Sequence, residues 1–337
     1  MCPISRTISL SILGKCSTKN DLDPKWLNFP SMLKKEGISL VACGSSGQSH
    51  HFDLESYPHT VSFFGKSLPI ENCTLIRVEP IVVNPYQYRR DTEEKYGKIV
   101  VISPNELKSP KNQYWESGYI DFEKIVESQN KAESGVAIIN ENKYSFVPGS
   151  NYKLRRRVID EFIRKETAIR VAGKNWDQDL LWQTKKQISA ARSAAKYHGR
   201  VDISQFQSPF NLNSPWVEYF GRVESVQKFL SESKFAIVIE NDSTYVSEKL
   251  LNALIAGCIP LYCGPSLGAY EIPAGVAISL GKSPKQFVDT VLSTPHFELE
   301  KVREAGQNWI RSSEARKRWS VNAGFYRLLD IIKSRIN

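Results

Sequence analysis

The chain lacks any apolar run approaching the roughly 18–20 residues a membrane-spanning helix requires, and the early stretch Ile8 to Leu13 is short and polar-interrupted for a secretion-signal core. A protein made and kept in the cytoplasm is therefore expected. It also lacks CxxC pairs: its six cysteines, Cys2, Cys16, Cys43, Cys73, Cys258 and Cys263, have no histidine nearby at metal-ligand spacing. Free thiols are expected, with Cys258 and Cys263 filling volume in or beside a buried strand. The five histidines are scattered, and the His50-His51 pair reads as part of a solvated loop. There is no internal repeat and no low-complexity tract. Nucleic-acid motifs are missing too. The formal charge of +9 is spread, and its densest runs, Lys153 to Arg157 and Arg311 to Arg318, have no interleaved aromatics. This speaks against nucleic acid as a partner and for anionic ligands generally; a merely solvated basic face is an equal reading for the C-terminal run.

What is present is an ordinary soluble composition, 41% hydrophobic and 24% charged, on 337 residues, which suits two domains better than one core. In the N-terminal part, β-prone runs at Ile38 to Ala42, Leu75 to Val78 and Ile99 to Ile102 alternate with polar stretches, as in a small α/β domain. The polar Ser128 to Gly135 then precedes the apolar Val136 to Ile139, so a boundary at 135/136 is expected. From there the pattern reads strand, helix 152–165, strand 168–172, charged helix 178–197 and helix 224–232, a second α/β domain over 136–297. Residues 298–337 read as a helical segment, with Trp309, Trp319, Phe325, Leu328, Leu329 and Ile332 near helical spacing.

The most informative stretch is Phe235 to Pro265. An apolar run, Phe235 to Ile239, is followed by the polar turn Glu240 to Thr244. Tyr245 to Ala256 has helical spacing, Gly257 occupies a C-cap position, and Ile259 to Tyr262 forms a second apolar run. Such a strand-helix-strand unit brings Glu240, Asn241, Tyr245, Glu248 and Lys249 to the C-terminal edge of a parallel sheet, where open α/β sheets bind ligands. A helix N-terminus with a lysine suits a phosphate, and a carboxylate beside it suits vicinal hydroxyls. Together they describe a sugar nucleotide. The plain alternative is a helix start capped by Asp242 or Ser243, with Glu248 and Lys249 in solvent.

The motif IleGluAsn at 239–241, YVSEK at 245–249 and AGCIPLYCG at 256–264 resembles the donor-binding signature of glycosyltransferase family 10, the α-1,3/1,4-fucosyltransferases. NKYSF at 142–146, YKLRRRVIDEF at 152–162 and GKNW at 173–176 resemble its bacterial branch. The likeness covers roughly residues 138–275, with a weaker echo over 75–107. Ser247 stands where the family has Thr, the gap before Tyr245 is short and has no preceding Gly, and Asn175 replaces the second Gly of a turn. The absence of an expected N-terminal anchor favours a bacterial or viral type.

The resemblance implies a GT-B-like α/β fold: two Rossmann-type domains facing a central cleft, with a C-terminal helix packing back on the first. It implies inverting transfer of fucose, or a related deoxysugar, from GDP-fucose to a saccharide hydroxyl, in polysaccharide biosynthesis or protein glycosylation. Lys249 and Arg155 would hold the diphosphate and Arg222 would assist, a plain surface role being its equal alternative, while Asn241 and Tyr245 would shape the pocket. Arg156 and Arg157 are expected in solvent. Glu79, in RVEPIV at 77–82, is the candidate base at a strand end; the alternative is a surface glutamate or a partner of Arg77. The Asp21-Leu22-Asp23 and Asp177-Gln178-Asp179 triplets could announce a metal, but the second more naturally starts a helix, so no obligatory cofactor is expected. A lipid-linked acceptor at an anionic membrane surface would suit the basic charge. Alternatives are a GT-B transferase using another nucleotide sugar, or a non-catalytic saccharide- or nucleotide-binding relative.

Overall fold

The computed structural model describes residues 7–12, 29–36, 39–44, 59–63, 70–77, 79–94, 96–107, 109–115, 118–120, 122, 132–208, 210 and 212–336. Asp21, Asp23, Cys2, Cys16, His50, His51 and Val78 lie outside them. The chain forms two compact units, one of residues 1–121 with 318–337 and one of 122–317.

The first unit holds strands β1 (Thr7–Ile12), β2 (Ser39–Gly44), β3 (His59–Phe63), β4 (Ile70–Ile76), β5 (Tyr96–Val101) and β6 (Asn112–Tyr114), with helices α1 (Phe29–Lys35) and α2 (Arg90–Glu93) between them. They form one sheet in the order β2-β1-β3-β4-β5-β6, and every pairing is parallel. The run Ile8 to Leu13 is thus mostly an inner strand. β1, β3 and β6 escape a sequence reading because serine, threonine and asparagine interrupt their apolar pattern.

The second unit holds β7 (Val136–Ile139), α3 (Tyr152–Arg164), β8 (Ile169–Ala172), α4 (Leu180–Tyr197), β9 (Val217–Tyr219) and α5 (Val226–Ser231). These are followed by β10 (Phe235–Ile239), α6 (Glu248–Ile255), β11 (Ile259–Cys263), β12 (Ile278–Ser279), α7 (Pro284–Ser293) and α8 (His296–Ile310). Its sheet runs β12-β11-β10-β7-β8-β9, again all parallel. The chain enters at β7, winds outward through β8 and β9, then crosses to β10 and winds the other way. This is the dinucleotide-fold order, and its switch point lies between β7 and β10. Both central strands are buried on both faces, so they read as continuous apolar runs, while α3, α7 and α8 close the core with Val158, Phe162, Phe287 and Leu299.

The helical segment 298–337 is shared between the units. Gly306 of α8 lies so close to α6 that a Cβ there would sit 2.7 Å from Leu254 Cδ2, which ties α8 to the second unit. After α9 (Ser313–Trp319), α10 (Val321–Ile336) belongs to the first unit. The backbone N–H groups of Tyr119 and Ile120 both donate to Trp319 O at 3.0 Å, and Trp115 Nε1 donates to Gly324 O at 2.8 Å. Trp319, Phe325, Leu328, Leu329 and Ile332 are the buried side of this return. The C-terminal helix therefore packs back on the first domain. NKYSF at 142–146 is irregular backbone.

Candidate functional site

The predicted seam lies at the switch point of the second sheet. β7 ends into Asn140, Glu141 and Asn142, and β10 ends beside it into Glu240, Asn241 and Asp242. Helix α6 begins at Glu248, later than the spacing from Tyr245 suggests, because the cap is Ser247 and not Asp242 or Ser243. Asp242 instead turns the loop, accepting from Thr244 N at 2.8 Å and Thr244 Oγ1 at 2.7 Å. At the other end Gly257, at φ 74°, lets Gly257 N reach Leu254 O and Cys258 N reach Ala253 O, closing the helix as its position implies.

Ser247 also links Glu240 to Lys249. Its hydroxyl donates to Glu240 Oε2 at 2.6 Å, and its backbone N–H donates to Glu240 Oε1 at 2.9 Å. A serine hydroxyl has one proton to give, so its lone pairs remain to accept Lys249 Nζ at 2.8 Å. The Glu240 Oε2 to Lys249 Nζ distance is 3.7 Å, and Glu248 Oε1 lies equally far from the same ammonium. Glu240 is wholly buried, Lys249 is 17% exposed and Glu248 52%. Burial pushes the Glu240 carboxyl above its ordinary value, and the Lys249 charge and the Ser247 bonds oppose that rise. Glu240 therefore sits beneath the seam and orients Lys249, while Lys249 and Glu248 reach the surface of the edge.

Arg155 is also buried. Its Nη2 donates to Ile239 O at 3.0 Å and to Asn241 Oδ1 at 2.7 Å, and its guanidinium lies 4.6 Å from the centre of the Tyr152 ring. Burial lowers its pKa, with Tyr152 and Glu240 opposing. Asn241 passes the constraint on, donating from Nδ2 to Tyr245 OH at 2.7 Å. Among the described residues, Arg155 Nε and Asn140 Oδ1 have no partner, so this edge keeps unspent polar atoms.

Two further residues complete the frame, Asn151, which the sequence reading passed over, and Arg156, which it placed in solvent. Asn151 stands where a helix cap is expected yet makes no side-chain cap bond; it donates from Nδ2 to Glu240 O at 3.2 Å and from its N–H to Asn241 O at 2.9 Å. An asparagine just before an amphipathic helix was the available signal. Arg156, expected in solvent, is buried: its Nε and Nη2 donate to Asn142 Oδ1 at 2.8 and 2.6 Å, and it lies 4.2 Å from the Tyr144 ring centre. The reason is that the loop after β7 folds over the flank of α3, which helical spacing alone does not reveal. Arg157 is exposed as expected.

The turn after β8 explains another departure from the family pattern. Asn175 adopts φ 67°, a left-handed conformation that asparagine tolerates, and its side chain donates to Glu141 Oε1 at 3.0 Å. Gly173, at φ 119°, approaches β7 so closely that a Cβ would lie 2.0 Å from Asn140 O. Arg222 is exposed in the loop after β9, whose Gly221 O accepts from Gly173 N at 2.7 Å. It thus shares this sheet edge but is not drawn into the Lys249 network. Asp179 caps α4 by accepting from Trp182 N at 2.7 Å. Cys258, just before β11, and Cys263, at its end, are buried thiols outside any disulfide.

In the first unit, Glu79 is half-buried just past the end of β4. The Tyr88 hydroxyl lies 3.0 Å from Glu79 O, in hydrogen-bond reach, and Arg77 lies 4.2 Å from the Tyr88 ring centre. The ion pairs of Arg77 run to Glu93 at 2.5 Å and Glu106 at 3.4 Å, and its Nε and Nη2 donate to Gln87 O. Arg77 thereby pins the segment that carries Glu79.

No protein-family model and no curated protein sequence matches the chain. Solved structures do match. HepE from Anabaena, in complex with UDP and glucose, superposes with a TM-score of 0.55 at 7% identity, covering 97% of this chain and 99% of that one. A glycosyltransferase from Rickettsia africae superposes at 0.51 with 9% identity, over 99% and 100%. WaaG, a glycosyltransferase involved in lipopolysaccharide biosynthesis, superposes at 0.51 with 11% identity, over 96% and 99%. The chain has the GT-B type of α/β fold that these proteins share. Among the described residues no helix is long and apolar enough to cross a membrane.

Proposed function

We propose that this protein is a glycosyltransferase that takes its donor sugar from a nucleoside diphosphate at the switch point of the second sheet. The observation that carries this reading is the chain Lys249–Ser247–Glu240: a buried carboxylate and a hydroxyl hold an ammonium at the first turn of α6, on the sheet edge where such folds bind nucleotides. The ammonium and the helix N-terminus would stabilise the departing diphosphate, and Glu248 would accept bonds from sugar hydroxyls. Arg222 would assist from the neighbouring loop, and Arg155 acts as the buried cation that positions Asn241 and Tyr245. Fucose, or a related deoxysugar, from a GDP donor is the favoured substrate, on the strength of the ordered 239–264 motif. Transfer is by a single inverting displacement in which Glu79 takes the proton of a saccharide hydroxyl. The work is cytoplasmic, at an anionic membrane face when the acceptor is lipid-borne.

A second reading, a UDP-sugar donor, is favoured by the bound UDP and UDP-glucose of the HepE structures. A panel of GDP-fucose, GDP-mannose and UDP-sugars, with the product anomer read by NMR and with chelator present, tests all of this. Transfer from GDP-fucose with inverted configuration and no loss in chelator supports the first reading. Transfer only from a UDP-sugar, or a retained anomer, replaces it; nucleotide binding without transfer makes the protein a non-catalytic relative.

A further inference from the structure

A cavity of about 520 Å³ opens on another flank of α3, lined by Lys153, Arg156, Arg157, Asp160, Phe206 and Phe210, with Gln207 and Ser208 between the rings. This is within the size range of small-molecule sites, roughly 300–1,000 Å³. One wall is a stripe of α3, since residues 153, 156, 157 and 160 stand at helical spacings of three and four and so share a face. The opposite wall is formed by Phe206, Gln207, Ser208 and Phe210, and it is built to stay in place. The side chain of Gln187 donates to Gln207 O and accepts from Gln207 N, both at 3.1 Å. Gln183 does the same for Phe210, at 3.0 and 2.9 Å. Both glutamines are buried in α4. Phe210 packs edge-on against Trp176 at 5.4 Å, and Phe206 against Phe146 at 4.5 Å, while Phe206 remains 48% exposed.

The cavity presents three cations against one carboxylate. Two of the cations are already engaged: Lys153 Nζ donates to Phe206 O at 2.8 Å and also to Ser204 O, and Arg156 is held by Asn142. Arg157 is exposed, and no hydrogen bond or ion pair holds it among the described residues. A guanidinium free to bind two oxygens of an acid group is therefore set among a carboxylate and an amide that suit hydroxyls, and aromatic faces that suit the apolar side of a sugar ring. A bare anion would use only the cations, and a neutral sugar would leave their charge unanswered. We infer that this cavity is a saccharide site for an acidic sugar, one carrying a carboxylate or a phosphate, distinct from the Lys249 edge. Uronates and sugar phosphates share this chemistry.

The test is calorimetric titration of the intact protein with glucuronate, glucose 6-phosphate, glucose and inorganic phosphate. Both acidic sugars should bind at least tenfold more tightly than glucose or phosphate alone, and the stronger of the two names the source of the acid group. Arg157→Ala and Phe206→Ala, both at exposed positions, should each weaken that binding about tenfold with unchanged thermal unfolding, and Lys249→Ala should leave it intact. Glucose binding as well as glucuronate, or phosphate binding as well as glucose 6-phosphate, overturns the inference. So does loss of binding in Lys249→Ala, which would place the ligand at the donor edge. The outcome does not depend on glycosyl transfer.

Discussion

Ser247 Oγ lies 2.6 Å from Glu240 Oε2 and 2.8 Å from Lys249 Nζ, so a single hydroxyl joins a buried carboxylate to the cation at the mouth of α6. Where the family pattern has threonine, the hydroxyl is what the geometry needs. Ser247→Thr is expected to keep wild-type nucleotide affinity. Ser247→Ala should lose the helix cap, about 1 kcal/mol of stability, and leave Lys249 without its orienting partner. Its affinity for the nucleoside diphosphate, measured by calorimetry, should fall several-fold. Equal affinity in the two variants would show that the hydroxyl does not position Lys249.

The same carboxylate links stability to pH. Burial raises the folded-state pKa of Glu240 above the ordinary 4.5, so the folded protein holds this proton longer than the unfolded chain does. In the window from 4.5 up to that raised value, unfolding releases a proton, and raising the pH therefore favours unfolding. Asp242 is raised by burial too and acts in the same direction. Urea unfolding across this window should show stability falling as pH rises, and Glu240→Gln should flatten the slope. A slope unchanged in Glu240→Gln would refute the assignment.

Lys249 and Arg155 should separate affinity from stability. Lys249 is partly exposed but its ammonium lies 3.7 Å from the buried Glu240 carboxylate, so Lys249→Ala is expected to cut donor affinity at least tenfold with a smaller loss of stability than Arg155→Ala. Arg155→Ala strips the buried acceptors Asn241 Oδ1 and Ile239 O of a donor, and each unsatisfied group costs about 1–3 kcal/mol. It should lower both stability and affinity. An Arg155→Ala protein that is fully stable would mean that these two bonds contribute nothing to folding.

Glu79→Gln tests the base. If Glu79 removes the acceptor proton, turnover should drop by roughly 10²- to 10⁴-fold while nucleotide affinity is kept. Arg77 pins this segment through Glu93, Glu106 and Gln87, contacts that the change leaves in place, so folding should survive it. Wild-type turnover would remove Glu79 from the mechanism.

Much of the second domain could be read directly from the chain. Val136 to Ile139, Phe235 to Ile239 and Ile259 to Cys263 are continuous apolar runs because their strands are covered on both faces, and Gly257 marks a helix end because few other residues accept a left-handed backbone. The strands of the first domain were harder to see: serine and threonine in β1 and β3 erase the run that a sequence reading relies on. In the site, the residue types of Glu240, Asn241, Tyr245, Glu248 and Lys249 and their place at a strand end were legible, since both follow from local order along the chain.

Depth and pairing were decided only by the fold. Whether a charged residue meets water depends on what crosses over it, and the covering groups come from distant segments: Asn151 clamps the end of β10 from the start of α3, and Asn142 buries Arg156 from the loop after β7. Sequence spacing determined that three arginines would follow one another on α3. Only tertiary packing determined that Arg155 and Arg156 lie inside while Arg157 faces solvent, because burial is a property of the assembled neighbours and not of the helix that carries them.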